Sequence, residues 1–96
     1  HFFSRSKKEV EALMFSIEFS QTSEKQLLKL EREAQKRIVS TLERIRIRPS
    51  AYIEKLVGSP YFKLRAGDYR IILDIQQEKL IIFVIELGHR KNIYKK

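Results

Sequence analysis

Ninety-six residues, 43% of them hydrophobic, are enough for one compact domain and too few for two. The absence of cysteine excludes disulfides, thiolate metal sites and a cysteine nucleophile. Twenty lysines and arginines against twelve acidic residues give a formal net charge of +8, which favours a polyanionic partner, nucleic acid above all. The longest apolar run, residues 80–85, is too short to span a bilayer, and no secretory signal pattern is present. We therefore expect a cytoplasmic protein with no membrane partner.

The first thirteen residues are set apart from the rest of the chain. Met14, the only methionine, directly precedes the first recognisable element, so we interpret residues 1–13 as a cloning scar or an upstream extension. A single domain is predicted over residues 14–96. At its start, Phe15, Ile17 and Phe19 alternate with polar residues, which predicts a half-buried β-strand over residues 15–20.

A helical region follows over residues 22–47. Thr22 or Ser23 can cap its N-terminus. Apolar residues then recur at spacings of three and four, which indicates one helix face directed at the core. This stripe consists of Leu27, Leu30, Ala34, Ile38, Leu42 and Ile45. No glycine or proline interrupts the region before Pro49, so periodicity alone allows one continuous helix.

The second half of the chain has the composition of β-strands. Residues 61–65, 69–75 and 79–87 are rich in Ile, Val, Phe and Tyr, and the gaps between them suit hairpins, with Gly67 free to adopt a positive φ. The pattern predicts a three-stranded antiparallel meander and an α+β fold. The last strand is apolar at odd and even positions alike, so we expect it to be a central strand with both faces covered. The helical stripe would cover one face, and an incoming partner segment is a candidate for the other.

The sequence contains no dinucleotide loop, P-loop, HExxH helix or zinc ribbon, so we expect neither a cofactor nor a metal. What remains is a cationic cluster in the β half, interleaved with tyrosines. Its members are Lys63, Arg65, Arg70, His89, Arg90 and Lys91, with Tyr61, Tyr69 and Tyr94. Simple alternatives stand beside this hypothesis: a solvated basic face, a core role for Tyr69, and a surface role for His89.

Such a cluster suits RNA chemistry. Arginine holds phosphate oxygens with a planar fork of donors, and tyrosine rings stack on unpaired bases. RNA carries its own nucleophile, the 2′-hydroxyl, so cleavage needs no metal and no protein nucleophile. It needs a base for the 2′ proton, cations for the growing charge on the phosphorane, and an acid for the leaving 5′ oxygen.

Residues 61–96 closely resemble the second half of toxins of the RelE/ParE superfamily. The most specific stretches are LRAGDYRII, residues 64–72, and GHRKNIY, residues 88–94. The resemblance implies a curved antiparallel β-sheet with a helical hairpin packed on one face, in the order β-α-α-β-β-β. The hairpin would break near residues 30–33. It also implies the toxin of a type II toxin–antitoxin module, neutralised by a cognate antitoxin.

The resemblance assigns roles to individual residues. Lys63 matches a lysine implicated in acid–base work and phosphate binding, and Arg90 an arginine thought to stabilise the transition state. Tyr94 matches a tyrosine that stacks on the substrate or aids proton transfer, while Arg65 and Arg70 match arginines that line the RNA site. We expect Lys63, Arg70, Arg90 and Tyr94 to be catalytic and Arg65 to bind RNA.

Tyr61 stands where these toxins carry a second lysine, and we expect it to contact RNA together with His89 and Lys91. This departure leaves the general base open between Lys63 and Tyr94, with His89 behind them. RelE-type members cleave mRNA in the ribosomal A site, whereas ParE-type members poison DNA gyrase. The retained catalytic positions favour the endoribonuclease, and the alternatives are a gyrase poison and a member that acts only by binding its antitoxin.

Overall fold

The computed structural model describes residues 14–89 and residue 91, so the interpretation of residues 1–13 lies outside it. The strands are β1 (Ser16–Phe19), β2 (Glu54–Lys55), β3 (Phe62–Ala66), β4 (Tyr69–Gln76) and β5 (Ile81–His89). The helices are α1 (Gln21–Leu28) and α2 (Arg32–Arg44), followed by a short 3-10 helix (Pro49–Ala51). The predicted α+β class and the order of its elements are confirmed, with the two-residue strand β2 as an addition.

The five strands form one sheet in the order β1-β5-β4-β3-β2. The predicted meander is confirmed, since β3, β4 and β5 pair antiparallel in sequence, and Gly67 has a φ of 65° in the first hairpin turn. The expectation of a purely antiparallel sheet is wrong at one edge, because β1 runs parallel to β5. The two helices between β1 and the meander supply the long connection that a parallel pair requires. β5 thereby becomes a central strand, as predicted.

One face of the sheet packs against α2 and builds the hydrophobic core. The predicted stripe is confirmed, with its α2 members buried and its α1 and linker members half-buried against the core. The core consists of Phe15, Ile38, Leu42, Ile45, Leu64, Ala66, Ile71, Leu73, Ile82, Val84 and Leu87. We call this the core face and the opposite side of the sheet the outer face.

The helical region is broken into a hairpin, so the single helix that periodicity alone allows is wrong and the hairpin implied by the resemblance is confirmed. Glu31 has an extended backbone, and the Gln35 Nε2 donates to the carbonyl of Leu30 at 2.9 Å, which satisfies a group freed at the break. The predicted cap is also corrected: Ser20, rather than Thr22 or Ser23, accepts from the backbone N–H at the start of α1.

Helix α1 lies along the part of β5 that extends beyond β1. Polar side chains of the helix and its cap form hydrogen bonds with the backbone groups of β5 there. The hydroxyls of Ser20 and Ser23 donate to the carbonyls of Ile85 and Val84 at 2.7 and 2.9 Å. The Gln26 Oε1 accepts from the N–H of Leu87 at 2.8 Å. An uncovered strand edge would offer these groups to another chain. The break before α2 therefore lets one helix cover the edge of the sheet while the next packs on its face.

A β-bulge in β5 changes which side chains face the core. Ile72 pairs with Glu86 and Leu73 with Val84, so Ile85 is an extra residue on β5. Val84 and Leu87 are both buried although they stand three residues apart, which a regular strand with a period of two does not permit. The bulge therefore turns Leu87 into the core and Glu86 to the outer face.

We predict that Gln26→Ala lowers the free energy of unfolding by about 1–2 kcal/mol, because the N–H of Leu87 loses its acceptor. Gln21→Ala is the matched control, since Gln21 is an exposed residue of the same helix, and we expect a change below about 0.5 kcal/mol. Urea unfolding followed by circular dichroism measures both values. Equal stability of the two variants would contradict the role given to Gln26.

Candidate functional site

Three of the predicted cations of the β half, Lys63, Arg65 and Arg70, lie on the outer face. Arg65 on β3 and Arg70 on β4 are directly opposite each other, and Lys63 is the next residue of β3 on the same face. Like charges directly opposite each other on a sheet are destabilising. Two guanidinium groups side by side on one face can hold the oxygens of one anion such as a phosphate.

Lys63 is held by a carboxylate from the edge of the sheet. Its Nζ lies 3.3 Å from the Oε1 of Glu54, and the two residues are cross-strand partners in the register of β2 and β3. The Glu54 side chain is 75% exposed, so the ion pair contributes little to stability. Its main effect is to orient the Lys63 ammonium on the outer face.

Arg70 is buried, with 6% of its surface exposed, at the start of β4. Its Nη1 donates to the backbone carbonyl of Tyr69 at 3.4 Å. An arginine guanidinium is always charged in proteins, whether exposed or buried. Arg70 therefore supplies a positive charge from a buried position in the sheet, while the side chain of Arg65 beside it is exposed to solvent.

Two further residues of β5 complete this part of the outer face. Glu86 pairs with Ile72, and Gly88 pairs with Arg70. Within residues 14–89 and 91, a Cβ built on Gly88 meets no atom closer than 4 Å apart from its chain neighbours. Sequence analysis missed Glu86, because strict alternation from buried Val84 would direct it inward. The outward direction of Glu86 follows from the burial of both Val84 and Leu87, which stand three residues apart. The sequence conceals this spacing, because residues 80–85 are all apolar.

The remaining predicted site residues are dispersed or lie outside the described residues. Tyr61 precedes β3 and is 38% exposed. His89 pairs with Tyr69 on the core face, where the two rings meet edge to face at 5.6 Å, so the sheet separates it from Lys63. Lys91 is exposed, and its N–H donates to the Nδ1 of His89 at 3.2 Å. The positions expected for Arg90 and Tyr94 lie outside the described residues.

A second basic surface lies on the other side of the sheet. A groove of about 620 Å³ runs between α2 and the turn joining β3 to β4. Arg37 packs over Gly67 there, so closely that a Cβ on the glycine would stand 3.0 Å from the arginine Cδ. The charged residues of the groove are Lys36, Arg37, Arg44 and Arg65, with Glu31 and Glu33. Arg65 belongs to both surfaces, because its strand register places it opposite Arg70 on the outer face and it also lines this groove. The charge of the groove is mixed.

The described part of the chain has neither a cluster of metal-ligand side chains nor a membrane-spanning helix. Within residues 14–89 and 91, no three acidic or histidine side chains approach one another as metal ligands do. None of the helices there combines the length and the apolarity that crossing a bilayer requires.

Comparison with known proteins identifies the family. The sequence model of the ParE toxin of the type II toxin–antitoxin system, parDE, matches residues 17–94. The fold resembles that in the E. coli RelBE toxin–antitoxin complex, with 28% identity, a TM-score of 0.66, and coverage of 79% of this chain and 95% of that one. The RelB–RelE complex of Methanococcus jannaschii gives 27% identity, a TM-score of 0.61, and coverage of 80% and 94%.

A RelBE2 complex from Mycobacterium tuberculosis shares the fold at 20% identity, with a TM-score of 0.76 and coverage of 83% of this chain and 95% of that one. No curated protein sequence matches the chain. The family match spans both helices and all five strands, including the outer-face cations. The chain therefore belongs to the ParE toxin family of type II toxin–antitoxin systems, within the RelE/ParE superfamily, and its fold is that of the RelE toxins.

Proposed function

We propose that this toxin is an endoribonuclease that cuts mRNA in the ribosomal A site, without a metal, and that a cognate antitoxin neutralises it. The observation that carries the proposal is the placement of Lys63, Arg65 and Arg70 on one face of a rigid sheet. The RelE toxins of E. coli and M. jannaschii, at 28% and 27% identity, support the choice of this branch.

The proposed reaction uses the nucleophile that RNA carries. The 2′ oxygen loses its proton to a base and attacks the adjacent phosphorus, the bond from phosphorus to the 5′ oxygen breaks, and that oxygen takes up a proton from an acid. The products are a 2′,3′-cyclic phosphate and a free 5′-hydroxyl. Arg65 and Arg70 hold the phosphate oxygens and offset the charge that grows on the phosphorane, and Lys63 is placed beside them to deliver a proton.

Two further roles come from the resemblance to RelE toxins. Arg90 would add a second guanidinium at the transition state, and Tyr94 would stack on the substrate or relay a proton. Both residues lie outside the described residues, so their assignment depends on sequence similarity alone.

The antitoxin is proposed from charge and from the relatives. The chain has a net charge of +8, and the related RelE toxins occur in complexes with RelB. A segment rich in aspartate and glutamate on one side and apolar on the other would neutralise the outer face. It would also cover the half-buried Ile81 and Phe83, which share that face farther along β5.

The alternative activity is that of a DNA gyrase poison without nuclease activity. It is favoured by the parDE description of the matching family, and by Tyr61 at the position where RelE toxins carry a lysine. The two activities differ in their products, because only the nuclease leaves new mRNA ends.

We predict that Lys63→Gln lowers mRNA cleavage at least about 100-fold, because the leaving oxygen loses its proton donor. Lys25→Gln is the matched control, since it removes an exposed charge from α1 and should leave cleavage unchanged. Primer extension on messages from cells expressing each variant measures the cuts. Growth arrest by the wild-type toxin with intact messages and inhibited supercoiling would establish the gyrase poison instead.

We also predict that salt slows association with the antitoxin much more than it speeds dissociation, because long-range attraction steers the encounter. From about 0.05 M to about 0.5 M NaCl, the association rate constant should fall roughly tenfold or more. Stopped-flow mixing of the two purified proteins measures it. An association rate independent of salt would contradict neutralisation by an acidic segment.

A further inference from the structure

The bulge in β5 places a carboxylate among the cations of the outer face. Because Ile85 is the extra residue, Glu86 and Gly88 face outward while Val84 and Leu87 face the core. Bulges are common next to active sites, where they redirect a side chain. The redirected side chain here is an acid, and it lies across Ile72 from Lys63 and one row from Arg65 and Arg70.

Glu86 and Lys63 lie on opposite sides of Ile72 in one row of the sheet. Lys63 pairs with Ile72 and Ile72 with Glu86, so the two charged residues are separated by a single strand. Neighbouring strands are about 4.8 Å apart, which puts their Cα atoms roughly 10 Å apart, with an apolar side chain between them. A phosphodiester seated over Ile72 would have an ammonium on one side and a carboxylate on the other.

The adjoining row supplies the charge and the space for the phosphate. Arg65, Arg70 and Gly88 follow one another across β3, β4 and β5. Gly88 lies beside Arg70 across the strands and next to Glu86 on the same face of β5, and no atom of the described residues other than its chain neighbours lies within 4 Å of a Cβ placed there. A side chain at position 88 would enter this space, so glycine keeps it available to a substrate.

From this placement we propose that Glu86 is the general base of the reaction. The proposal rests on the proposed ribonuclease function and assigns a role that the sequence left open. The Glu86 carboxylate takes the proton of the 2′-hydroxyl as the 2′ oxygen bonds to phosphorus. The bond from phosphorus to the 5′ oxygen breaks, and the Lys63 ammonium gives its proton to that oxygen. In this reaction the attacking and leaving oxygens lie in line on opposite sides of phosphorus. Glu86 and Lys63 likewise lie on opposite sides of Ile72, so each is placed beside one of these two oxygens.

The other acids of the outer face do not suit this role. Glu54 lies at the far side of Lys63, bonded to its ammonium at 3.3 Å. Asp74 lies beyond the bulge, in a row with Phe83, and accepts from the Nε2 of Gln76 at 3.3 Å. Glu18 belongs to the edge strand β1, beyond Phe83. Glu54 belongs to the same row as Glu86 but lies on the other side of Lys63 from Ile72. Of the described carboxylates on this face, Glu86 is the one directly beside Ile72 on the side opposite Lys63.

The first test compares Glu86→Gln with Glu18→Gln on ribosomes programmed with mRNA, at saturating toxin. Both variants remove one negative charge from the outer face. We expect Glu86→Gln to lower the single-turnover cleavage rate about 100-fold or more, with toxin binding to the ribosome unchanged or tighter. Glu86→Asp should recover part of the rate, and Glu18→Gln should match the wild type. Wild-type cleavage together with full cleavage by Glu86→Gln would overturn the proposal.

The second test separates the base from the acid. A message with sulfur in place of the leaving 5′ oxygen needs no proton donor, because a thiolate leaves readily. With this substrate we expect Lys63→Gln to recover to within about tenfold of the wild type and Glu86→Gln to stay defective by about 100-fold. Recovery of Glu86→Gln instead would overturn its assignment as the base. If the wild-type toxin cuts neither message, the proposed ribonuclease function itself has failed.

Discussion

The feature on which the rest of the structure depends is the bulge that shifts the alternation of β5. Burying both Val84 and Leu87 against the core requires one extra residue, Ile85, between their pairing partners. Without it, Leu87 would face outward and Glu86 would be directed into a core of aliphatic side chains, where an unpaired carboxylate is costly. One backbone irregularity therefore serves the hydrophobic core and the polar outer face together.

Rigidity connects the fold to the site. Arg70 stands on β4, which pairs with a strand on both sides, and Lys63 stands where β3 pairs with both β2 and β4. The stretch of β5 beyond β1 is held by the Ser20, Ser23 and Gln26 side chains of the α1 segment. Groups built on such elements are placed more accurately than groups on loops, which matters for a reaction that depends on aligning RNA's own hydroxyl with its phosphate.

Sequence reasoning succeeded where local patterns suffice. The α2 stripe from Ala34 to Ile45, the Gly67 turn and the meander follow from periodicity and turn chemistry, and the register places Lys63, Arg65 and Arg70 on one face. It failed where contacts between residues far apart in the sequence determine the structure. Helix α1 is held along β5 by hydrogen bonds between residues about sixty positions apart, which no local sequence pattern reveals. The bulge lies in a strand that is apolar at both parities, so alternation could not reveal the face of Glu86.

The most direct measurement of the central claim is a contact map between the toxin and its message. A photo-crosslinking phenylalanine analogue can replace Glu54, beside Lys63 on the outer face, or Val39, exposed on α2. The message carries a 2′-deoxy nucleotide at the cut site, so the complex on the ribosome stays intact. The outer-face account predicts crosslinks to the A-site codon from position 54 and none from position 39. Crosslinks to that codon from position 39 alone would contradict it.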